Sequence, residues 1–234
     1  MKLLSDDALE KSHVVANCRM NRERNLTGSN GYSKEIGFNP VEFLRDRFSP
    51  VRKAAWLDLC CGTGKALIQA AKVIQVDGLA EQIEIVGVDL AGMFHAADHN
   101  LPCLHLVEAS LSSCSPTGSF DLITCVHGLH YVGEKLGLIS RAVSWLTLEG
   151  LFVANLDMNN LKFADGSAAG RRVTTALRRA ALEYRRRKRL VICRGKRTIA
   201  LPFRYLGGDD QAGPNYTGQA AVDSYYAGEV KFRE

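Results

Sequence analysis

The stretch that decides the fold is WLDLCCGTGK, residues 56–65. An apolar run meets a carboxylate at Asp58, and Gly62-Thr63-Gly64 follows just before a helical pattern opens at Lys65. A strand that turns sharply through glycines into a helix leaves free amides at the helix start and lets a ligand reach the backbone with no Cβ in the way. An acid buried ahead of two glycines is costly without a polar partner, so this turn is expected to hold a polar ligand.

Outward from it, short β-like runs alternate with helical ones, the pattern of βαβ units and a parallel sheet. AAWLDLC (54–60) is the first strand, and KALIQAAKVIQV (65–76) sets Ala66, Leu67, Ala70, Ala71 and Ile74 on one helical face before the Asp77-Gly78 stop. IEIVGVD (83–89), CLHLVE (103–108), FDLITCV (120–126) and LFVANLD (151–157) read as further strands, with a helix over 133–146 and a turn at Glu149-Gly150. A helix over 170–182 then leads into two extended runs, 185–193 and 196–206, which the Arg194-Gly195-Lys196 turn is expected to fold into an antiparallel hairpin. The tail from 207 reads as irregular. Residues 1–50 read as helical: Ser5 caps one helix, 12–24 forms a second, and Asn39-Pro40 with Glu42 starts a third that ends near Ser49-Pro50. Between them, 26–38 reads as a loop or a short helical turn.

A second acid, Asp89, ends the second strand, where a carboxylate accepts both hydroxyls of a ribose. The alternative is a helix cap for GMFHAADH. Two histidines, His127 and His130, follow the fourth strand in CVHGLHY.

These motifs together resemble the class I S-adenosylmethionine-dependent methyltransferases of the small-molecule type. The resemblance rests on DLCCGTG, VGVDL, VEASL after the third strand, FDLITCVHGLHYV and LTLEGLF, and covers about residues 54–156. It implies a doubly wound, Rossmann-like α/β fold: a seven-stranded sheet of order 3-2-1-4-5-7-6, mostly parallel, closed by an antiparallel C-terminal hairpin. It further implies a cofactor, S-adenosyl-L-methionine. Asp58 and the backbone of Cys60, Gly62 and Gly64 would hold its methionine end, Asp89 its ribose, and Leu90, Ser110 and Leu111 would border its adenine. Ser110 stands where relatives carry an acid or amide, with Glu108 two residues earlier. Cys60 replaces the loop's first glycine and is expected to take an ordinary backbone angle. The segment 1–50 would form a lid on the 51–234 cofactor domain, with Asn30 and Tyr32 contributing to it and Tyr32 counted with the catalytic candidates.

In-line methyl transfer needs chiefly that the acceptor be held close and aligned. A hydroxyl or protonated amine would also need a base, for which His127 or His130 is the candidate and a packing role the alternative. A nicotinamide dinucleotide site would want G-x-G-x-x-G, and Leu67 occupies the third position.

The chain has 234 residues and a net charge of +5. Residues 171–197 hold twelve of the 30 basic residues and one of the 25 acids, so one basic face lies on a mildly acidic body. That run reads first as a solvated strand edge and second as a site for an acidic acceptor or nucleic acid. The fourth strand ends in CVHG and not in the Asn/Asp-Pro-Pro-aromatic sequence of amino-directed nucleic-acid enzymes, which points to a small-molecule acceptor. A nucleic-acid or protein methyltransferase and a non-catalytic binding protein remain the alternatives. No apolar run approaches the ~18 residues of a membrane span, and a cytoplasmic protein without a metal site is expected. The seven cysteines contain no C-x-x-C pair and read as free thiols.

Overall fold

In the computed structural model, residues 2–16, 23–96 and 101–228 are described. The chain opens with four short helices, α1 (Asp6–Glu10), α2 (His13–Ala16), α3 (Tyr32–Ile36) and α4 (Pro40–Arg45). The Ser5 side chain caps α1, and Asn39 accepts the Val41 amide at 3.0 Å to start α4, as their sequence signals require. α4 stops at Arg45, ahead of the Ser49-Pro50 end expected for it. Most of the remainder of the expected 12–24 helix, residues 17–22, lies outside the described residues.

Next come β1 (Ala54–Leu59), α5 (Lys65–Val76), β2 (Ile83–Asp89), β3 (Leu104–Glu108), β4 (Phe120–Cys125), α6 (Lys135–Ser144) and β5 (Leu146–Asn155). β5 thus starts at Leu146, and Glu149-Gly150 lies within the strand and not in a turn before it. The chain finishes with β6 (Leu161–Phe163), α7 (Gly170–Arg179), β7 (Glu183–Arg185), β8 (Leu190–Arg194), β9 (Arg204–Asp209) and β10 (Asp223–Ala227).

The main sheet has the order β3-β2-β1-β4-β5-β8-β7. Only β8 runs against its neighbours, β5 and β7. Counted within this sheet, the order is 3-2-1-4-5-7-6, as the resemblance implies. Two apolar layers sandwich it. α4 and α5 contribute Leu44, Leu67, Ala70 and Ile74 to one, and α6 and α7 contribute Ile139, Val143, Val173 and Leu177 to the other, all fully buried. β1 is buried along its whole length, as expected of a central parallel strand covered on both faces.

The hairpin is one turn earlier than Arg194-Gly195-Lys196 suggests. It is β7 and β8 that pair, and the connection runs through 186–189, where Arg189 takes a left-handed angle (φ +50°) with no glycine to mark it. The run 196–206 does not join the main sheet. Pro202 interrupts it, and β9 instead pairs with β10 in a small sheet of order β6-β10-β9. The tail read as irregular therefore supplies a strand. Lys135, buried at the start of α6, ties that sheet down: its Nζ donates to Val132 O, Val222 O and Ser224 Oγ at 2.7–2.8 Å.

The strand order reverses between β1 and β4. Their C-terminal ends splay loops to opposite sides and leave the crevice in which open α/β sheets bind ligands.

Candidate active site

Around that crevice the loop after β1 closes tightly. Gly64 takes φ +73°, and a Cβ on it would come within 2.9 Å of the Leu106 side chain. Gly128, in the turn after β4, lies so near the loop that a Cβ there would sit 2.3 Å from the Cβ of Cys60. Cys60 itself has φ +59°, the left-handed region, and not the ordinary angle expected from the sequence. A side chain in that region costs about 1–2 kcal/mol. His127 is strained in the same way, at φ +60°. Both residues line one cleft, and backbone strain of this kind gathers at binding and catalytic sites.

The cleft holds about 850 Å³ counting its open mouth. Cys60, Gly62, Asp89, Leu90 and Leu111 line it, as do Asp6, Leu9, Glu10 and Val15 from the N-terminal segment, and His127 and Gly128. Asp89 caps no helix among the described residues. Its Oδ2 accepts the Gly62 amide at 2.9 Å and its Oδ1 the Ala91 amide at 3.1 Å. A carboxylate offers about four acceptor positions, so both oxygens retain capacity for a diol. The apolar Leu90 and Leu111 flank it. These residues fit S-adenosylmethionine: a glycine cradle, a carboxylate for the ribose and an apolar slot for the base.

Other expected residues lie differently. Asp58 is fully buried behind the loop and does not line the cleft. Its Oδ2 accepts from the Tyr32 hydroxyl at 2.7 Å and its Oδ1 from Thr124, which in turn accepts from Trp56 Nε1 at 2.8 Å. Burial pushes the Asp58 carboxyl up to about 7. Tyr32 is therefore a buried partner of Asp58 and is not turned into the cleft, while Asn30 is exposed and binds Arg24 at 2.9 Å. The part of the N-terminal segment that reaches the cleft is α1 and α2. Gly64 does not line it either. Ser110 donates to Glu10 Oε1 at 2.5 Å, which directs its hydroxyl to α1.

At the inner end of the cleft stands His127, 3% exposed. Its Nε2 lies 3.2 Å from Glu35 Oε2, though off the line of a hydrogen bond, and its Nδ1 lies 3.4 Å from the Tyr216 hydroxyl. Asn155 Oδ1 accepts the His127 amide at 3.2 Å, and Asn155 Nδ2 donates to Tyr216. Burial lowers the pKa of His127, with Glu35 opposing, so the ring is neutral near pH 7. His127 in turn holds the Glu35 carboxyl below its usual range. His130 is fully buried against both His127 and Tyr216, and neither of its ring nitrogens has a hydrogen-bond partner.

Glu35, Asn155 and Tyr216 are the residues that the sequence reading missed. Glu35 had a signal: it follows Tyr32 by one helical turn, so α3 delivers one side chain to Asp58 after β1's core and the next to His127 after β4. Tyr216 had none, since it lies in the tail read as irregular.

Among the described residues, no helix is long and apolar enough to cross a membrane and no cluster of three or more metal-ligating side chains occurs.

Residues 57–150 match the family model described as a methyltransferase domain. No curated protein matches the chain. Solved structures similar to it include an amino pentose methyltransferase from Micromonospora echinaspora with S-adenosylmethionine bound (21% identity, TM-score 0.41, 59% of this chain and 55% of that one). Others are an S-adenosylmethionine-dependent methyltransferase from Mesorhizobium loti (24%, 0.34, 50% and 53%) and phosphoethanolamine N-methyltransferase 2 from Haemonchus contortus (17%, 0.43, 64% and 34%). The chain thus spans about half, or less, of the length of these proteins. The match over residues 57–150, together with the sheet order, supports a class I S-adenosylmethionine-dependent methyltransferase domain there, with S-adenosylmethionine as its cofactor.

Proposed function

We propose that the protein methylates an oxygen or nitrogen of a small-molecule acceptor, with His127 as the base and Glu35 as its positioning residue. The observation that carries this is a buried imidazole lining the cleft, backed at 3.2 Å by a carboxylate. When bound, S-adenosylmethionine supplies an electrophilic methyl group on a sulfonium. The backbone of Cys60–Gly62 would hold its amino-acid end, Asp89 its ribose, and Leu90 and Leu111 its adenine. With the Nε2 proton turned to Glu35, Nδ1 is the basic nitrogen and faces the side where Tyr216 stands. With that group bound, Nδ1 would take the proton that the acceptor's oxygen or nitrogen gives up on being methylated. Glu35 stabilises the imidazolium that forms. Segment 1–50 acts as the lid, with Leu9 and Val15 excluding water from the 51–234 domain's cleft.

Calorimetry tests this reading. S-adenosylhomocysteine should bind one to one and NAD should give no heat. Heat with NAD alone would overturn it.

A further inference from the structure

Beside His127 lies a group of buried polar atoms that no protein group satisfies. His130 is 0% exposed and both of its ring nitrogens lack a hydrogen bond, as does Nδ2 of Asn215, 6% exposed and next to Tyr216. The three rings of His127, His130 and Tyr216 lie 5.3–5.9 Å apart, centroid to centroid. Each orphaned buried group costs about 1–3 kcal/mol, and a cluster of them is retained where a ligand or water completes it.

Positive charge gathers beside this cluster. Arg189 lays its guanidinium 4.0 Å over the Tyr216 ring and has no ion pair among the described residues. It also lines a broad surface basin with Arg171, Arg172, Arg178 and Arg186, none of them ion-paired to a described residue. The nearby carboxylates are Glu35, engaged by Arg24 and His127, Asp157, engaged by the amides of Asn159 and Tyr216, and Asp165 on the basin's rim, which accepts the Ser167 amide and leaves the five arginines in excess. Burial first, and then the neighbouring titratable and basic groups His127, Lys135, Arg24 and Arg189, hold His130 well below the usual imidazole range. A single ring, Tyr216, separates the basin's innermost arginine from His127.

We infer that the methyl acceptor is an anion bearing a carboxylate or phosphate group, that it enters through the arginine basin, and that Arg189 with His130 holds its charged group while its nucleophile reaches His127. This rests on the methyltransferase reading of the site and adds the acceptor's chemical class and its route. It also gives the basic run 171–197 a use beyond that of a solvated edge.

The test follows the ring resonances of ¹⁵N-histidine-labelled full chain during titration with sodium benzoate and, separately, inorganic phosphate, against potassium chloride at equal ionic strength. The expected result is a saturable shift of the His127 and His130 signals with at least one anion and none with chloride. The anion that saturates identifies the group as carboxylate or phosphate. Arg189→Gln should weaken the apparent affinity at least tenfold and Arg189→Lys less, while Arg186→Gln at the rim should change it less than threefold. The lysine and rim variants keep the comparison should Arg189→Gln melt early. Absence of saturation with both anions, or equal losses in the Arg189 and Arg186 variants, would overturn the inference. Heat with S-adenosylhomocysteine on the same sample reports the cofactor reading separately: binding there with no anion response discards the anion subsite alone.

Discussion

Asp58→Asn removes a charge while keeping the shape of a side chain that is fully buried. Burial pushes the carboxyl from 3.8 to about 7, against the hydrogen bonds from Thr124 and Tyr32 that favour its charged form. A folded-state pKa above the unfolded one means that the folded state holds the proton more tightly. The associated stability is whole below about pH 4 and is lost as pH rises through 7. Three pH units correspond to about 4 kcal/mol, of which about 2–3 kcal/mol falls between pH 5 and 8. Asparagine does not titrate, and the cost of its altered hydrogen bonds to Thr124 and Tyr32 is the same at every pH. The stability of Asp58→Asn relative to the parent should therefore rise by about 2–3 kcal/mol from pH 5 to pH 8, a relative gain of about 5–10 °C in melting temperature for a chain of this size. Thermal unfolding followed by circular dichroism at pH 5, 6.5 and 8 measures it. Melting curves for the two proteins that stay parallel across this range would refute the reasoning.

His127→Ala should lower kcat about 10²–10⁴-fold with a smaller change in KM, read in a methyl-transfer assay. Glu35→Gln removes the charge that holds the His127 pKa up, so the acid limb of the kcat–pH profile should move to lower pH and the plateau should fall; an unmoved limb removes Glu35 from its role. Lys135→Met deletes an ammonium whose pKa burial depresses from 10.5 to about 7. The parent gains stability from that lysine only as pH rises from 7 toward 10.5, so the relative stability of Lys135→Met should fall by about 3–4 kcal/mol between pH 7 and 10 in urea titrations. Deleting residues 1–16 takes Leu9 and Val15 off the cleft and should weaken S-adenosylhomocysteine about tenfold, equivalent to ~60 Å² of apolar contact at ~25 cal/mol/Å²; an unchanged affinity removes the lid.

The half of the fold built from local signals was legible. α5 spans Lys65–Val76 as its apolar spacing and Asp77-Gly78 stop indicate, and β1, β2 and β4 end at the residues that carry the site. Where the chain departs from the reading, tertiary contacts override a local preference. Gly195 looks like a hairpin turn, but the turn forms at 186–189 because β8's apolar Leu190–Cys193 face must register against Phe152 and Val153 of β5. Cys60 occupies a left-handed angle without glycine because the loop must still fold under Asp89, which binds the Gly62 amide. Asp58, Asp89 and His127 were visible as candidates from their places after strands. Which of them faces the cleft was not, since that depends on Tyr32 and Glu35 arriving from a helix remote in sequence.

A crystal structure with S-adenosylhomocysteine tests the central claim most directly. Density should show the amino-acid end on the Cys60–Gly62 backbone, the ribose hydroxyls on Asp89, and the sulfur directed toward His127. Ligand lying in the arginine basin, or a cleft left empty at saturating ligand, would contradict it.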